Sequence, residues 1–121
     1  MELQKLNTTF SICKLENINQ IDFSQEPLFI AKTPDEISLV CESAHVPQNT
    51  VAVEHGWRGL KISGVLDFSL IGIVAKIANI FAHGGISIFV VSTYNTDYIF
   101  IKKENFDKGC QLLVREGYNL V

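Results

Sequence analysis

The strongest constraint on the fold lies between residues 60 and 102, where the apolar spacing changes from strand to helix and back. "LKIS", residues 60–63, is a short β-branched run that is typical of a buried strand. Apolar side chains then recur with helical spacing over residues 70–82, at Leu70, Ile73, Val74, Ile77 and Phe81. Gly84–Gly85 predicts the end of this helix, and "ISIFVVST", residues 86–93, predicts a central strand because it is apolar on both faces.

A hairpin and a second helix are predicted next. After the turn "YNTD", the segment "YIFIK", residues 98–102, returns as the partner strand. Asn105 can cap a helix that Gly117 ends, and residues 118–121 could add a short strand. On the buried face of that helix we expect Phe106, Cys110, Leu113 and Val114. The order β-α-β-β-α-β predicts an α+β, ferredoxin-like sandwich with helices on one face of an antiparallel sheet.

The first half of the chain indicates a shorter copy of the same arrangement. Three strands are predicted, and residues 33–36 form the turn between the last two. These strands are residues 9–15, 28–31 and 36–42. Residues 16–27 hold only a weak helical pattern, so the helix of this copy is abbreviated. With a linker at 43–50 and a crossing strand at 51–57, we expect an N-terminal module over 1–50 and a complete one over 51–121.

Composition narrows the class of protein. The 121 residues are 47% hydrophobic and 19% charged, which is typical of a packed globular chain. A net charge of −3 with scattered basic residues argues against nucleic acid or anionic lipid as a partner. The sequence has no apolar stretch of about 20 residues and no secretion signal, so no membrane association is expected. Three widely spaced cysteines predict reduced thiols in a cytoplasmic protein without a metal site.

Nothing in the sequence supports a catalytic site. The three histidines, His45, His55 and His83, do not fall at ligand or triad spacing with a carboxylate and a nucleophile. Phosphate-loop, dinucleotide-binding and hydrolase motifs are all missing from the sequence. We therefore expect a binding module that is not an enzyme and that carries no cofactor.

The segment "LDFSLIG", residues 66–72, suggests what the module binds. A helix start presents backbone N–H groups without helical partners, and these favour a carboxylate. Asp67 suits an ammonium group, Ser69 adds a hydroxyl, and Gly72 leaves room for close approach. This combination is complementary to a free amino acid. The alternative is that Asp67 and Ser69 only cap the helix, and likewise that Asp97 in "YNTDY" only forms a turn.

Residues 56–106, "GWRGLKISGVLDFSLIGIVAKIANIFAHGGISIFVVSTYNTDYIFIKKENF", resemble the ACT domain, a βαββαβ module that binds amino acids and regulates metabolism. The similarity extends to small tandem-ACT proteins related to the regulatory domains of aspartate kinases and to animal cytosolic arginine sensors. Residues 1–55 resemble the abbreviated first copy of those proteins. The loop here has two more residues than the common Asp-x-Pro-Gly pattern of the family.

The resemblance implies a site between two modules, formed by the first strand-to-helix loop and the neighbouring strand. The expected ligand-binding residues are Asp67, Phe68, Ser69, Leu70, Ile71, Gly72, Ser92, Thr93, Tyr94 and Asp97. In the arginine sensors the acidic residue of "STYNTDY" helps to bind the basic end of the ligand. Because no enzyme domain is attached, we expect regulation in trans, through a homo-oligomer or a separate regulated enzyme.

An alternative function needs no small ligand. The predicted helix leaves an apolar strip at Ile71, Ala75, Ala78 and Ala82 that a single sheet would not cover. The first half of the chain could cover this strip, or the strip could dock on a second protein. The alternative is therefore an interaction or dimerisation module.

Overall fold

The computed structural model describes residues 1–63 and 72–121, and the order of its elements confirms the predicted α+β architecture. The strands and helices are β1 (Glu2–Leu15), β2 (Leu28–Lys32), β3 (Ile37–Glu42), β4 (Ala52–Ile62), α1 (Ile73–His83), β5 (Ile88–Ser92), β6 (Asp97–Lys102), α2 (Phe106–Arg115) and β7 (Asn119–Leu120). Short 3-10 helices lie at Ile18–Gln20, Ser43–His45 and Lys103–Asn105. None of the helices in the described residues is long and apolar enough to cross a membrane.

The chain forms two compact units. The larger unit contains Met1–Asn7 and Arg58–Val121, and the smaller unit contains Thr8–Trp57. Strands β1 and β4 therefore have residues in both units. The predicted modules, 1–50 and 51–121, assign the first seven residues and residues 51–57 differently, and that division stays a prediction.

The larger unit is the predicted sandwich of a sheet and two helices. Its strand order runs β7, β1, β4, β6, β5, with β5 antiparallel to β6 and β7 parallel to β1. Sheet and helices share one core, formed by Leu3, Leu60, Ile62, Ile77, Phe81, Ile86, Ile99, Ile101, Phe106 and Leu113. Helix α1 buries Ile77 and Phe81 and exposes Lys76 and Asn79, as its apolar spacing predicted.

Several details differ from the predictions, among them Val114, which was expected on the buried face of α2 and is 57% exposed. Strand β1 begins at Glu2, not at residue 9, and the prediction missed its first half because that half carries few apolar side chains. Helix α1 begins at Ile73, so the predicted inclusion of Gly72 in the helix is wrong. Gly72 is the residue before the helix and has a φ of +81°, which favours glycine. Asn105 precedes α2 as predicted, but its side chain makes no capping hydrogen bond, since a 3-10 turn leads directly into the helix.

The smaller unit has the strand order β2, β3, β1, β4, and β1 and β2 are each antiparallel to β3. Its core consists of Cys13, Leu15, Ile21, Leu39 and Cys41. The weak helical pattern at 16–27 produces one 3-10 turn, Ile18–Gln20, with a capping box between Asn17 and Gln20. The Gln20 amide also donates to the Gln48 carbonyl at 3.0 Å, which fixes the segment after β3.

The hairpin of the smaller unit recurs sixty positions later in the larger one. Strands β2 and β3 start at Leu28 and Ile37, and β5 and β6 start at Ile88 and Asp97. The register of the two hairpins is the same at this spacing, and each hairpin is followed by a 3-10 helix. This repetition supports the interpretation of the first half as an abbreviated copy.

Candidate functional site

The expected ligand-binding residues divide into two groups in the structure. Asp67, Phe68, Ser69, Leu70 and Ile71 lie outside the described residues. Gly72 precedes α1, whereas Ser92, Thr93, Tyr94 and Asp97 all lie at the turn between β5 and β6. The β5–β6 turn and the start of α1 are thus the described parts of the predicted site.

The β5–β6 turn is closed by a compact set of hydrogen bonds between Thr93 and Thr96. The N–H and the hydroxyl of Thr93 both donate to the Thr96 carbonyl, at 2.8 and 2.9 Å. The Thr96 N–H donates back to the Thr93 hydroxyl oxygen at 3.3 Å. A side chain thus reinforces the backbone of the turn, which is the usual role of a threonine at this position.

Ser92 and Asp97 face each other as the last residue pair before the turn. The Ser92 hydroxyl donates to one carboxylate oxygen of Asp97. An ionised carboxylate can accept several hydrogen bonds, so Asp97 keeps acceptor capacity beyond this contact. The geometry fits both interpretations of Asp97, turn-forming residue and ligand group. At the tip of the turn, the side chain of Tyr94 is 82% exposed.

Thr96 belongs to this site and was missed from the sequence. Its side chain is 5% exposed, and its hydroxyl donates to the Ile62 carbonyl at 2.8 Å. Ile62 is the last residue of β4, directly before Ser63, where the described residues stop short of the predicted loop. One side chain thus connects the polar β5–β6 turn to the end of the strand that leads into the loop. No pattern in the sequence marks Thr96, and the hairpin sixty positions earlier has Glu36 at the equivalent position.

The start of α1 at Gly72 is the second described part of the predicted site. No side chain of the described residues caps the helix, and a Cβ atom built on Gly72 would meet nothing within 4 Å. The Gly72 carbonyl accepts the first helical hydrogen bond, from the Lys76 N–H at 2.9 Å. The earlier N–H groups of the first turn have no intrahelical partner and carry the positive end of the helix dipole. Such a helix start favours a carboxylate.

A groove of about 520 Å³ in the larger unit runs along the first turns of α1. It is lined by Met1, Ile73, Lys76, Asn79, Ile80, Glu116, Gly117 and Tyr118. The Lys76 ammonium and the Glu116 carboxylate thus line the same groove, together with apolar side chains. Opposite charges beside apolar side chains also suit a dipolar molecule.

Comparisons with known proteins define the class. The family model of the ACT domain matches residues 52–115, which is more than half of the chain. A crystal structure of an Agobacterium tumefaciens protein is similar, with 31% identity, a TM-score of 0.85, and coverage of 99% of this chain and 91% of that one. Among curated proteins, none matches significantly.

Two further structures share the fold. A Vibrio cholerae protein of unknown function, described as a possible transport protein, is 22% identical with a TM-score of 0.74, and the match covers 94% of this chain and 88% of that one. A chain from a structure of aspartokinase alpha and beta subunits is 11% identical with a TM-score of 0.65 and coverage of 95% and 96%.

The family match and the sandwich of the larger unit define a small regulatory module of the ACT class. The chain belongs to the ACT domain family, and its fold is that of the regulatory domains of aspartate kinases.

Proposed function

We propose that this protein is a non-enzymatic ACT regulator that binds a free amino acid without a cofactor. The ligand lies in a cleft between two modules or two subunits and contacts the 67–72 loop and the β5–β6 turn. The protein works in the cytoplasm and acts in trans, on a separate enzyme or through its own oligomer. Nucleic acid and membranes are not partners.

The observation that carries this proposal is the set of polar side chains on the β5–β6 turn, which Thr96 joins to the end of β4. Ser92, Thr93 and Asp97 share one turn, and Thr96 connects that turn to the last residue of β4. Within the described residues no side-chain cap is seen at Gly72, so the first turn of α1 offers N–H groups for a carboxylate, and Asp97 offers an anion for a cationic group. An anion-binding helix start and a carboxylate together complement a zwitterion.

The size of one relative supports action in trans. The aspartokinase chain that matches over 96% of its length is about as long as this chain, and it comes from a structure with separate alpha and beta subunits. We propose that a small ACT chain of this kind accompanies an enzyme as a distinct polypeptide. By analogy, we propose a separate biosynthetic enzyme of amino-acid metabolism as the regulated partner.

The proposed mechanism is a shift between two arrangements of modules or subunits. A ligand shifts such an equilibrium only by the ratio of its affinities for the two arrangements. Closing the cleft adds contacts to both ends of the amino acid, so the closed arrangement binds more tightly.

Thermal unfolding with each of the twenty amino acids tests the proposal. A ligand present at 100 times its Kd adds about 2.7 kcal/mol to the free energy of unfolding. We expect at least one amino acid to raise the Tm, and its N-acetylated form, which lacks the ammonium group, to have no effect. If no amino acid changes the Tm at millimolar concentration, the proposal is wrong.

A second candidate function is protein docking through α1. Ala75 and Ala82 are exposed and Ala78 is half-buried on that helix, so an apolar strip faces outward. Under this alternative, Ala75→Glu would abolish assembly measured by light scattering, whereas Asn79→Glu on the polar side would not. A protein that assembles but responds to no amino acid would favour this second candidate.

A further inference from the structure

The buried hydroxyl of Thr96 indicates a further role in the proposed amino-acid site, and this role rests on the proposed function. We propose that the Thr96 hydroxyl is a positioning group for the amino-acid site. By donating to the Ile62 carbonyl, it holds the turn that carries Ser92, Thr93 and Asp97 against the last residue of β4. Thr96 itself need not touch the ligand.

The burial of Thr96 is the first observation. Among the described residues, Ser11 and Thr96 are the only polar residues that are buried. Burying a hydroxyl without a hydrogen-bond partner lowers the stability of the folded state. The hydrogen bond from Thr96 to the Ile62 carbonyl therefore favours one position of the turn. A valine would fill the same volume without this bond.

The position of β5 in the sheet is the second observation. In the described part of the chain, β5 is the last strand of the order and pairs with β6 alone. Among the described hydrogen bonds, the end of this hairpin is therefore joined to β4 through the β6 ladder and through Thr96, while Ile88 and Val90 of β5 pack against the core. A loss of the Thr96 contact would let the end of the hairpin move while the rest of the ladder persists.

The repeated hairpin provides an internal comparison. In the smaller unit, the N–H of Thr33 donates to the Glu36 carbonyl at 2.9 Å, and the Glu36 N–H donates to the Thr33 hydroxyl oxygen at 3.2 Å. The same turn therefore closes with an exposed glutamate where the larger unit has Thr96. Closing the turn does not require a buried threonine, so the Thr96 hydroxyl serves another purpose: the connection to β4.

Three variants of the full chain test the inference. Thr96→Val removes the hydroxyl at constant volume, Thr96→Ser restores it, and Glu36→Val changes the equivalent position of the other hairpin. The probe is whichever of the twenty free amino acids most stabilises the wild-type protein. Its Kd is measured by calorimetry well below the Tm, with circular dichroism as the check that each variant is folded.

We expect Thr96→Val to raise the Kd about three- to ten-fold, which matches the loss of one neutral hydrogen bond. Thr96→Ser and Glu36→Val should stay within about two-fold of the wild type. If Thr96→Val binds as well as the wild type, the positioning role is overturned while the proposed function stands. Equal weakening by Thr96→Val and Thr96→Ser overturns it too, because packing alone would then explain the loss. If no amino acid binds the wild type, both proposals fall.

Discussion

Gly109 of α2 lies against Ile101 of β6 so closely that a Cβ atom built on the glycine would come within 2.8 Å of the Ile101 Cδ1 atom. The same Cβ would lie 3.0 Å from the ring of Phe81 on α1. Gly109 is therefore the point where the second helix approaches both the sheet and the first helix, which explains a glycine inside a helix.

Gly109→Ala should destabilise the protein. Alanine favours helix by up to about 1 kcal/mol over glycine, but overpacking a tight core costs about 1–3 kcal/mol. We expect a net loss of about 1–2 kcal/mol in urea unfolding. Gln111→Ala, at an exposed position of the same helix, serves as the control and should change little. A more stable Gly109→Ala protein would show that the helix can shift outward at no cost.

Arg58 should resist replacement by lysine. Its guanidinium carbon lies 4.1 Å from the centroid of the Phe106 ring, and its Nε and Nη2 atoms donate to the Leu6 carbonyl at 3.3 and 3.0 Å. A lysine ammonium cannot make the stacked, two-donor contact, so Arg58→Lys should cost about 1–2 kcal/mol in chemical denaturation. The exposed Arg115→Lys should be neutral. A similar loss in both variants would contradict the role of the Phe106 contact.

Asp97→Asn separates the two interpretations of that residue. As a ligand group, Asp97 binds the cationic end of a basic amino acid, so the variant should weaken arginine or lysine binding about ten-fold in calorimetry. As a turn-forming residue only, Asp97 is replaced by asparagine without loss, since both favour turns. Asp107→Asn, an exposed carboxylate on α2, controls for net charge. Unchanged affinity for every amino acid would leave Asp97 a turn residue.

The buried thiols predict a loss of stability at high pH. Burial raises the pKa of Cys41 from 9.0 to about 11, with a smaller contribution from nearby Cys13. Between these values the unfolded chain releases a proton that the folded chain retains. The stabilisation is therefore complete below pH 9 and is lost as the pH rises toward 11. Urea unfolding should show a decline between pH 8 and 10, of about 1 kcal/mol for this group.

Cys41→Ala is the matched test of that assignment. The variant should be less stable at pH 8 because it leaves a cavity, yet its stability should decline less between pH 8 and 10. In the wild type, alkylation of Cys41 should also be slow until the protein is denatured, since only the thiolate reacts. Equal pH slopes in the two proteins would assign the decline to other groups.

Much of the fold followed from local patterns. The spacing of Ile73, Ile77 and Phe81 fixed the buried face of α1, and strand periodicity located β3, β5 and β6 within two residues. The first half of β1 escaped prediction because, apart from Leu3 and Leu6, residues 2–8 are polar. These residues form a strand because they pair with neighbouring strands, and their composition alone does not reveal this pairing.

The site was less accessible to sequence reasoning. Ser92, Thr93 and Asp97 were proposed together because the resemblance to the ACT domain implied them, and in the structure they lie at one turn. Thr96 was missed because its partner, Ile62, lies thirty-four residues away, and no local pattern reports a contact of that range. The contact depends on which strands become neighbours.

The route of the chain through the larger unit has a consequence for how the two units share stability. Leu3 and Leu60 belong to one core, yet the whole of Thr8–Trp57 separates their segments along the chain. While the smaller unit is folded, it acts as a short, ordered bridge between these segments. If it unfolds, the larger unit must close a flexible loop of fifty residues, at an entropic cost on the order of 3 kcal/mol. A substitution that unfolds the smaller unit should therefore also lower the stability of the larger unit, even where no residue of the larger unit has changed.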